Sequence, residues 1–263
     1  MTNDTSHAPL AGRHALVTGA GRGIGAAIAR RLAADGARLT LVGRNHEPLA
    51  ALAAALPQSA QARAVVCDVT DADAVARAWT AAIDGAPPVD ILVANAGQAA
   101  SAPFVRTDDD LWQRMLGVNL TGTFLCMRAA LPAMLAGGWG RIVNVASTAG
   151  QRGYAYVAAY AAAKHGVIGL TRSLALEVAA RGVTVNAVCP GYTETDLLED
   201  SIANVVAKTG RSADSARAEF ARHNPQQRLV KAEEVADAVA WLCTPAAAAI
   251  NGQSVSVSGG EVT

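Results

Sequence analysis

The chain has 263 residues, of which 51% are hydrophobic and 17% charged, enough apolar material for a well-buried core and unlike a disordered chain. Lys plus Arg equals Asp plus Glu at 22 each, so no net field draws the protein to nucleic acid or to an anionic membrane. Specificity has to come from a local site.

The four cysteines, Cys67, Cys126, Cys189 and Cys243, are widely separated and form no C-x-x-C pair, which favours buried thiols over a zinc site or a dithiol couple; no metal is expected. The opening MTNDTSHAPLAGR is polar, without the apolar core of a signal peptide, and no apolar run reaches about 18 residues. A cytoplasmic protein, with neither a membrane nor a nucleic acid as partner, is expected.

Seven short β-rich runs follow one another: 14–18 (HALVT), 38–43 (RLTLVG), 63–69 (RAVVCDV), 90–97 (DILVANAG), 141–147 (RIVNVAS), 183–191 (VTVNAVCPG) and 253–260 (QSVSVSGG). Apolar strands bounded by Gly or Pro are buried on both faces, and their alternation with helix-length spacers predicts an α/β, doubly wound, seven-stranded parallel sheet of Rossmann type in a single domain, residues 1–263.

The first spacer opens with TGAGRGIG, whose glycines fit two registers: Gly19, Gly23 and Gly25, or Gly21, Gly23 and Ala26. A strand ending at Thr18 puts Gly19 first in the turn and starts a helix near Gly23, which selects the first register. Backbone amides there can approach a pyrophosphate at the helix N-terminus because no Cβ holds it away. At the end of the second strand, about 20 residues on, an NAD site carries an acid for the ribose 2′-hydroxyl. Here Gly43 takes that place and Arg44 follows; with Arg22 in the loop, two guanidiniums suit a 2′-phosphate, so NADP is expected, with NAD as the alternative if the arginines are merely solvated.

The spacer helices 23–36 and 71–84 show a Gly C-terminus and an acidic N-terminus respectively. Residues 108–135 and 153–180 are longer helical patterns. The second carries YVAAYAAAK, which places Tyr156, Tyr160 and Lys164 on one helix face. An ammonium beside Tyr160 favours its phenolate, as a general acid/base requires, and Ser147 at the end of the fifth strand borders the same crevice. Residues 196–228 are polar and contain no strand. They follow a strand's carboxyl end, so a substrate lid is expected there, with a plain surface helix pair as the alternative.

In order, TGAGRGIG, CDV, NAG, VN, Ser147, YAAAK, PG and the terminal GG resemble the short-chain dehydrogenase/reductase family over nearly the whole chain. That resemblance implies a catalytic tetrad: Asn119 supporting a water relay, Ser147 polarising the carbonyl, Tyr160 exchanging the proton, and Lys164 aiding Tyr160 and holding the nicotinamide ribose. It also implies a dinucleotide held by Gly19, Arg22, Gly23, Ile24, Gly25 and Arg44. Asp68 and Val69 would meet the adenine, Asn95 and Gly97 would stand beside the cofactor, and Pro190, Gly191, Thr193 and Thr195 would face the carboxamide. Two positions depart from the family pattern, Ala94 for the first Asn of NNAG and Ser258 for the Asp of DGG. The segment 146–197 most resembles ketoreductases of 3-oxoacyl thioesters, including polyketide ketoreductases, and 3-hydroxyacyl dehydrogenases. Lys208, Arg211, Arg217 and Arg222 are lid cations able to meet a thioester's phosphate or to stay solvated. A secondary-alcohol dehydrogenase and a non-catalytic dinucleotide sensor are the competing readings. An epimerase or dehydratase would need more substrate domain than 263 residues leave. The family resemblance further implies a homotetramer built through the long helices and the last strand.

Overall fold

The computed structural model describes residues 8–263, apart from the side chain of Lys208; the polar opening at 1–7 and that lid cation lie outside the described residues. Strands β1 (His14–Thr18), β2 (Arg38–Gly43), β3 (Arg63–Val66), β4 (Ile91–Ala94), β5 (Gly140–Val145), β6 (Val183–Pro190) and β7 (Ser254–Val257) form one sheet in the order β3-β2-β1-β4-β5-β6-β7. Every pairing is parallel. The order reverses between β1 and β4, which opens a crevice at their carboxyl ends.

Both faces of the sheet are covered. Ala15 and Val17 of β1 point to the face packed by helices α1 (Gly23–Ala34), α2 (His46–Ala55) and α9 (Ala232–Cys243). Leu16 points to the other face, under α3 (Ala72–Ile83), α5 (Gly122–Gly137) and α6 (Ala158–Val178). This period-2 division explains why the strands read as unbroken apolar runs. Each fully buried Leu, such as Leu16 or Leu39, contributes roughly 1.5–3 kcal/mol relative to exposure.

Helix α4 (Asp109–Leu116) runs through a π turn at Gly117–Thr121 into α5. By length and mean hydropathy the continuous run Asp109–Gly137 passes as a membrane span, but Leu125, Cys126, Met127, Ala130 and Met134 bury its inner side against the sheet. Several predicted strands end early. The tail of 63–69 turns away where the Asp68 carboxylate accepts from the Thr70 amide at 2.9 Å, and the tail of 90–97 leaves the ladder where Thr18 Oγ1 accepts from the Asn95 and Ala96 amides at 3.0 Å each.

The 153–180 pattern is corrected at its start. Residues 153–157 are not helical, and α6 begins at Ala158. Tyr156 stands outside the helix with φ 69° and an exposed ring, so it does not share a face with Tyr160 and Lys164. The polar stretch after β6 folds as two helices, α7 (Asp196–Thr209) and α8 (Ala213–Ala221). They enclose a small core of Leu198, Ile202, Ala216 and Leu229, and the segment is tied off where Thr193 bridges Val230.

Candidate active site

The glycine loop takes the first of the two registers. Gly19 and Gly23 have φ 65° and 53°, a region that disfavours L side chains, whereas Gly21 has no positive φ. A Cβ on Gly25 would lie 2.2 Å from the Gly19 carbonyl oxygen and 2.6 Å from Asn95 Nδ2. The loop is therefore folded tightly on itself, and Asn95 pins it to β4 by donating to the Thr18 and Gly19 carbonyls at 2.9 and 3.2 Å. Helix α1 starts without a side-chain cap and without an acid in its first turn, leaving its N-terminal amides and positive dipole end directed at the crevice. Such a cradle fits the pyrophosphate of a dinucleotide.

Around the adenine end, Gly43 closes β2 and Arg44 follows it fully on the surface. Asp68 is held by Thr70, whose amide and hydroxyl both donate to Oδ1; these bonds, with the Arg44 charge, keep its carboxyl below the usual range. Val69 is buried and packs where Gly122 leaves no room for a Cβ. Arg22 departs from expectation. Its Nη1 lies 3.7 Å from Asp196 Oδ2 at the start of α7, so it pairs with the predicted lid rather than standing ready beside Arg44. Ile24 is half-buried in the first turn of α1.

Ser147, just past β5, and Tyr160, in the first turn of α6, face each other. Ser147 Oγ accepts from the Ala149 amide at 3.1 Å, and its hydroxyl stands close enough to the Tyr160 phenol to favour the ionised form. Lys164, one turn further on, is buried to 5% exposure and donates from Nζ to the Val145 carbonyl at 2.8 Å. Its Nζ is 5.7 Å from the centroid of the Tyr160 ring. Burial pulls the Lys164 ammonium down to about 8. The expected lowering of the tyrosine is reversed. Burial raises the Tyr160 phenol, and the neighbouring Ser147 hydroxyl only partly offsets it, while the Lys164 ammonium is spent on a carbonyl rather than on the phenol oxygen.

Asn119 sits in the π turn, an irregularity frequent at functional sites. Its Nδ2 donates to the carbonyls of Gln98 and Met115 at 2.9 and 3.0 Å, and its Oδ1 accepts from the Gln98 amide at 3.2 Å. Gly97 stands between Asn119 and Lys164: a Cβ there would lie 2.8 Å from Asn119 Oδ1 and 3.6 Å from Lys164 Nζ. Past Pro190, Gly191 is pressed against Ser258 and Glu261, Thr193 Oγ1 donates to the Gly191 carbonyl at 2.9 Å, and Thr195 precedes α7.

Sequence reasoning missed several groups. The Val145 carbonyl and the Thr18 hydroxyl carry no side-chain signature of their roles. Cys189 lies beneath Ser147 and Lys164, where burial pushes its thiol up to about 11. An aromatic cluster also borders the site: Tyr154 meets Tyr192 edge-on at 6.3 Å, and Tyr192 lies 4.9 Å from Phe220 and 5.4 Å from His223. Glu261 of the C-terminal tail accepts from the Tyr154 hydroxyl at 2.6 Å. Of the two departures, Ala94 is buried in the core at the end of β4, and buried Ser258 accepts from the Val262 amide at 3.4 Å. Among the lid cations, Arg217 pairs with Glu199 and Arg222 with Glu219, so both are engaged by acids of the lid itself.

The family model of the short chain dehydrogenases matches residues 13–205. The protein named ketoacyl reductase 1 of the granaticin polyketide synthase of Streptomyces violaceoruber is 42% identical over 249 residues, 94% of this chain and 92% of that protein. Cis-4-hydroxycyclohexanecarboxylate dehydrogenase of Sinomonas cyclohexanicum is 43% identical, covering 95% of this chain and 97% of its own. Among solved structures, actinorhodin polyketide ketoreductase with NADPH superposes with a TM-score of 0.91 at 39% identity, over 95% of this chain and 97% of that one. With the sheet order, the glycine cradle and these relatives in agreement, the chain belongs to the short-chain dehydrogenase/reductase family and is an NAD(P)-dependent oxidoreductase acting on CH–OH groups and ketones.

Proposed function

We propose that the protein is an NADPH-dependent ketoreductase whose substrate is a 3-oxoacyl thioester. The observation that carries the reading is the convergence of Ser147, Tyr160 and buried Lys164 at the carboxyl end of β5, beside the glycine cradle. A bound nicotinamide dinucleotide supplies the hydride. The chain's own residues do the rest. The Ser147 hydroxyl donates to the substrate carbonyl oxygen and polarises it; Tyr160 delivers its phenolic proton to the alkoxide that develops there. Lys164 stabilises the resulting phenolate and holds the nicotinamide ribose. Asn119, through its grip on Gln98 and Met115, keeps Gly97 and the π turn in place around a relay that returns protons to Lys164 from solvent. Gly19, Gly23, Ile24 and Gly25 hold the pyrophosphate end, Arg22, once free of Asp196, and Arg44 the 2′-phosphate, Asp68 and Val69 the adenine, Asn95 and Gly97 the middle of the cofactor, and Pro190, Gly191, Thr193 and Thr195 the carboxamide.

Gly43 in the acid's place and the exposed Arg44 beside it support NADP over NAD. The helix pair 196–228, anchored at the Thr193–Val230 bridge and carrying its own small core, is read as the substrate lid. Trp112 on α4, Phe124 on α5 and Leu176 on α6 are exposed apolar side chains on the two long helical runs, which supports a homotetramer built through them. Four free, buried cysteines suit a reducing, cytoplasmic setting.

A second reading, an NAD-dependent dehydrogenase of a cyclic secondary alcohol, is favoured by two observations. The Tyr154–Tyr192 wall suits a ring, and Arg22 is engaged by Asp196. A spectrophotometric screen of NADPH and NADH against acetoacetyl-CoA, diketones and cyclic alcohols separates the two. Turnover of acetoacetyl-CoA with NADPH supports the first, and turnover confined to cyclic alcohols with NAD replaces it by the second.

A further inference from the structure

Residues after β7 fold back to the carboxyl end of β6, and one side chain there touches two separate walls of the crevice. Tyr154 lies on the segment that joins Ser147 to Tyr160, and its hydroxyl donates to Glu261 Oε1 at 2.6 Å. That length is typical of a hydroxyl bound to an ionised acceptor. The other oxygen, Glu261 Oε2, is enclosed against Gly191, where a Cβ would lie 2.9 Å from it, and it has no hydrogen-bond partner among the described residues. One oxygen therefore grips the Tyr154 wall by a hydrogen bond, while the other packs against the loop that leads into α7.

The same segment clasps both ends of the helix pair α7–α8. At the entry, the Gly191 amide donates to the Val257 carbonyl at 3.0 Å. At the exit, Gly259, with φ 62°, is pressed so closely on the side-chain amide of Asn224 that a Cβ would collide with it, and Asn224 itself is buried just beyond α8. Arg152 straps the arrangement from outside: its Nη1 donates to the Glu261 carbonyl at 3.3 Å, and its guanidinium lies 4.8 Å from the centroid of the Tyr154 ring. Tyr154 meets Tyr192 edge-on. Tyr192 packs through Phe220 on the small core of the helix pair, and it lies close enough to Tyr160 for their charges to interact. The mechanical route from Glu261 to the helix pair thus runs through Tyr154, Tyr192 and Phe220.

From this arrangement we infer that Glu261 is a specificity-determining positioning residue: by holding the Tyr154 wall to the loop at Gly191, it sets the width of the crevice between the catalytic segment and the helix pair. The inference rests on the ketoreductase reading only for where the carbonyl substrate enters. Glu261 makes no hydrogen bond to Ser147, Tyr160 or Lys164 among the described residues, so its loss leaves the proton transfer intact and loosens the fit. A wall held by one hydrogen bond opens locally when that bond is removed, without global unfolding. Such loosening weakens ground-state and transition-state binding alike, which raises KM and leaves kcat.

Hydrogen-exchange mass spectrometry of the NADPH complex tests the latch without any substrate. Glu261→Ala and Tyr154→Phe are each expected to speed amide exchange in 196–221 about tenfold, the effect of losing one charge-assisted hydrogen bond, with α1 unchanged. Initial rates with acetoacetyl-CoA and with cyclohexanone test the consequence: each variant should raise KM about fivefold to tenfold, with kcat within about twofold of wild type. Because the two side chains act through one bond, the double variant should go no further than the stronger single one. Glu261→Gln keeps the acceptor oxygen and should hold KM within about threefold of wild type. Tyr154→Phe keeps the ring and carries the test if Glu261→Ala does not fold. Unchanged exchange in both single variants, additive effects in the double one, or a loss confined to kcat would each overturn the latch. Turnover of neither probe, with exchange accelerated as expected, would overturn the proposed substrates and support the latch.

Discussion

Replacing Lys164 by Met should make the cofactor-free protein respond less to pH while it loses activity. The ammonium is buried to 5% exposure, and its folded pKa falls from the ordinary 10.5 to about 8 because burial penalises the charge. That difference corresponds to roughly 3 kcal/mol of preference for the neutral amine in the folded state. Because the folded pKa is lower than the unfolded one, the cost of charging falls on the native state below pH 8 and fades as pH rises toward 10.5. Between pH 7 and pH 9 the wild type should therefore gain about 1 kcal/mol of stability relative to Lys164→Met. The lost bond to the Val145 carbonyl shifts the variant by an amount independent of pH; Cys189 feels the Lys164 charge, but its folded thiol, pushed up to about 11, stays protonated to pH 9 with or without that charge, so neither enters the difference. Urea denaturation of both proteins at pH 7, 8 and 9, with matched ionic strength, measures it. Parallel stability profiles would refute the claim that Lys164 is a strained, buried cation.

Tyr160→Phe should lower kcat by about a thousandfold or more, since a general acid contributes ~10²–10⁴, while NADPH affinity measured by fluorescence stays within about twofold; retained turnover sinks the proton-transfer role. Gly25→Ala drives a Cβ into the Gly19 carbonyl and the Asn95 amide. It should cost about 1–3 kcal/mol in thermal denaturation and weaken dinucleotide binding more than about tenfold; an unchanged Kd would mean the loop is not the cradle. Arg44→Asp should shift the NADPH/NADH ratio of kcat/KM toward NADH by at least about tenfold, and Asp196→Asn, by releasing Arg22, should move it modestly toward NADPH. A ratio unmoved by Arg44→Asp removes the basis for NADP preference.

Most of the sheet could be read directly because burial on both faces writes itself as continuous apolar runs, and the glycine register followed from where β1 ends. What lay beyond the sequence were features set by contacts across the fold. Tyr156 fits the helical spacing of its neighbours, yet the chain turns through positive φ there before α6 begins. The pairing of Arg22 with Asp196 joins residues far apart in sequence, and nothing local at either position announces it. Motif order singled out Ser147, Tyr160 and Lys164, which the fold places near one another, but the direction of the Tyr160 shift depends on which oxygen Lys164 serves, which only packing decides. The burial of Arg141 and Thr184 is less legible still: they look like ordinary polar residues in strands until their register sets them side by side.

The sheet order has a consequence for how the binding cleft comes into being. β1 is near the start of the chain but lies in the interior of the sheet, so a growing chain leaves one of its edges bare until residues 91–94 arrive. The phosphate loop matures at the same moment, because the groups that fix Thr18 and Gly19 come from Asn95 and Ala96. Gly19, Asn95 and Ala96, which meet at the seam between the two half-sheets, would hold a nucleotide there. Bound there, it would add to the stability of the joined state by an amount that grows with the logarithm of its concentration above its Kd.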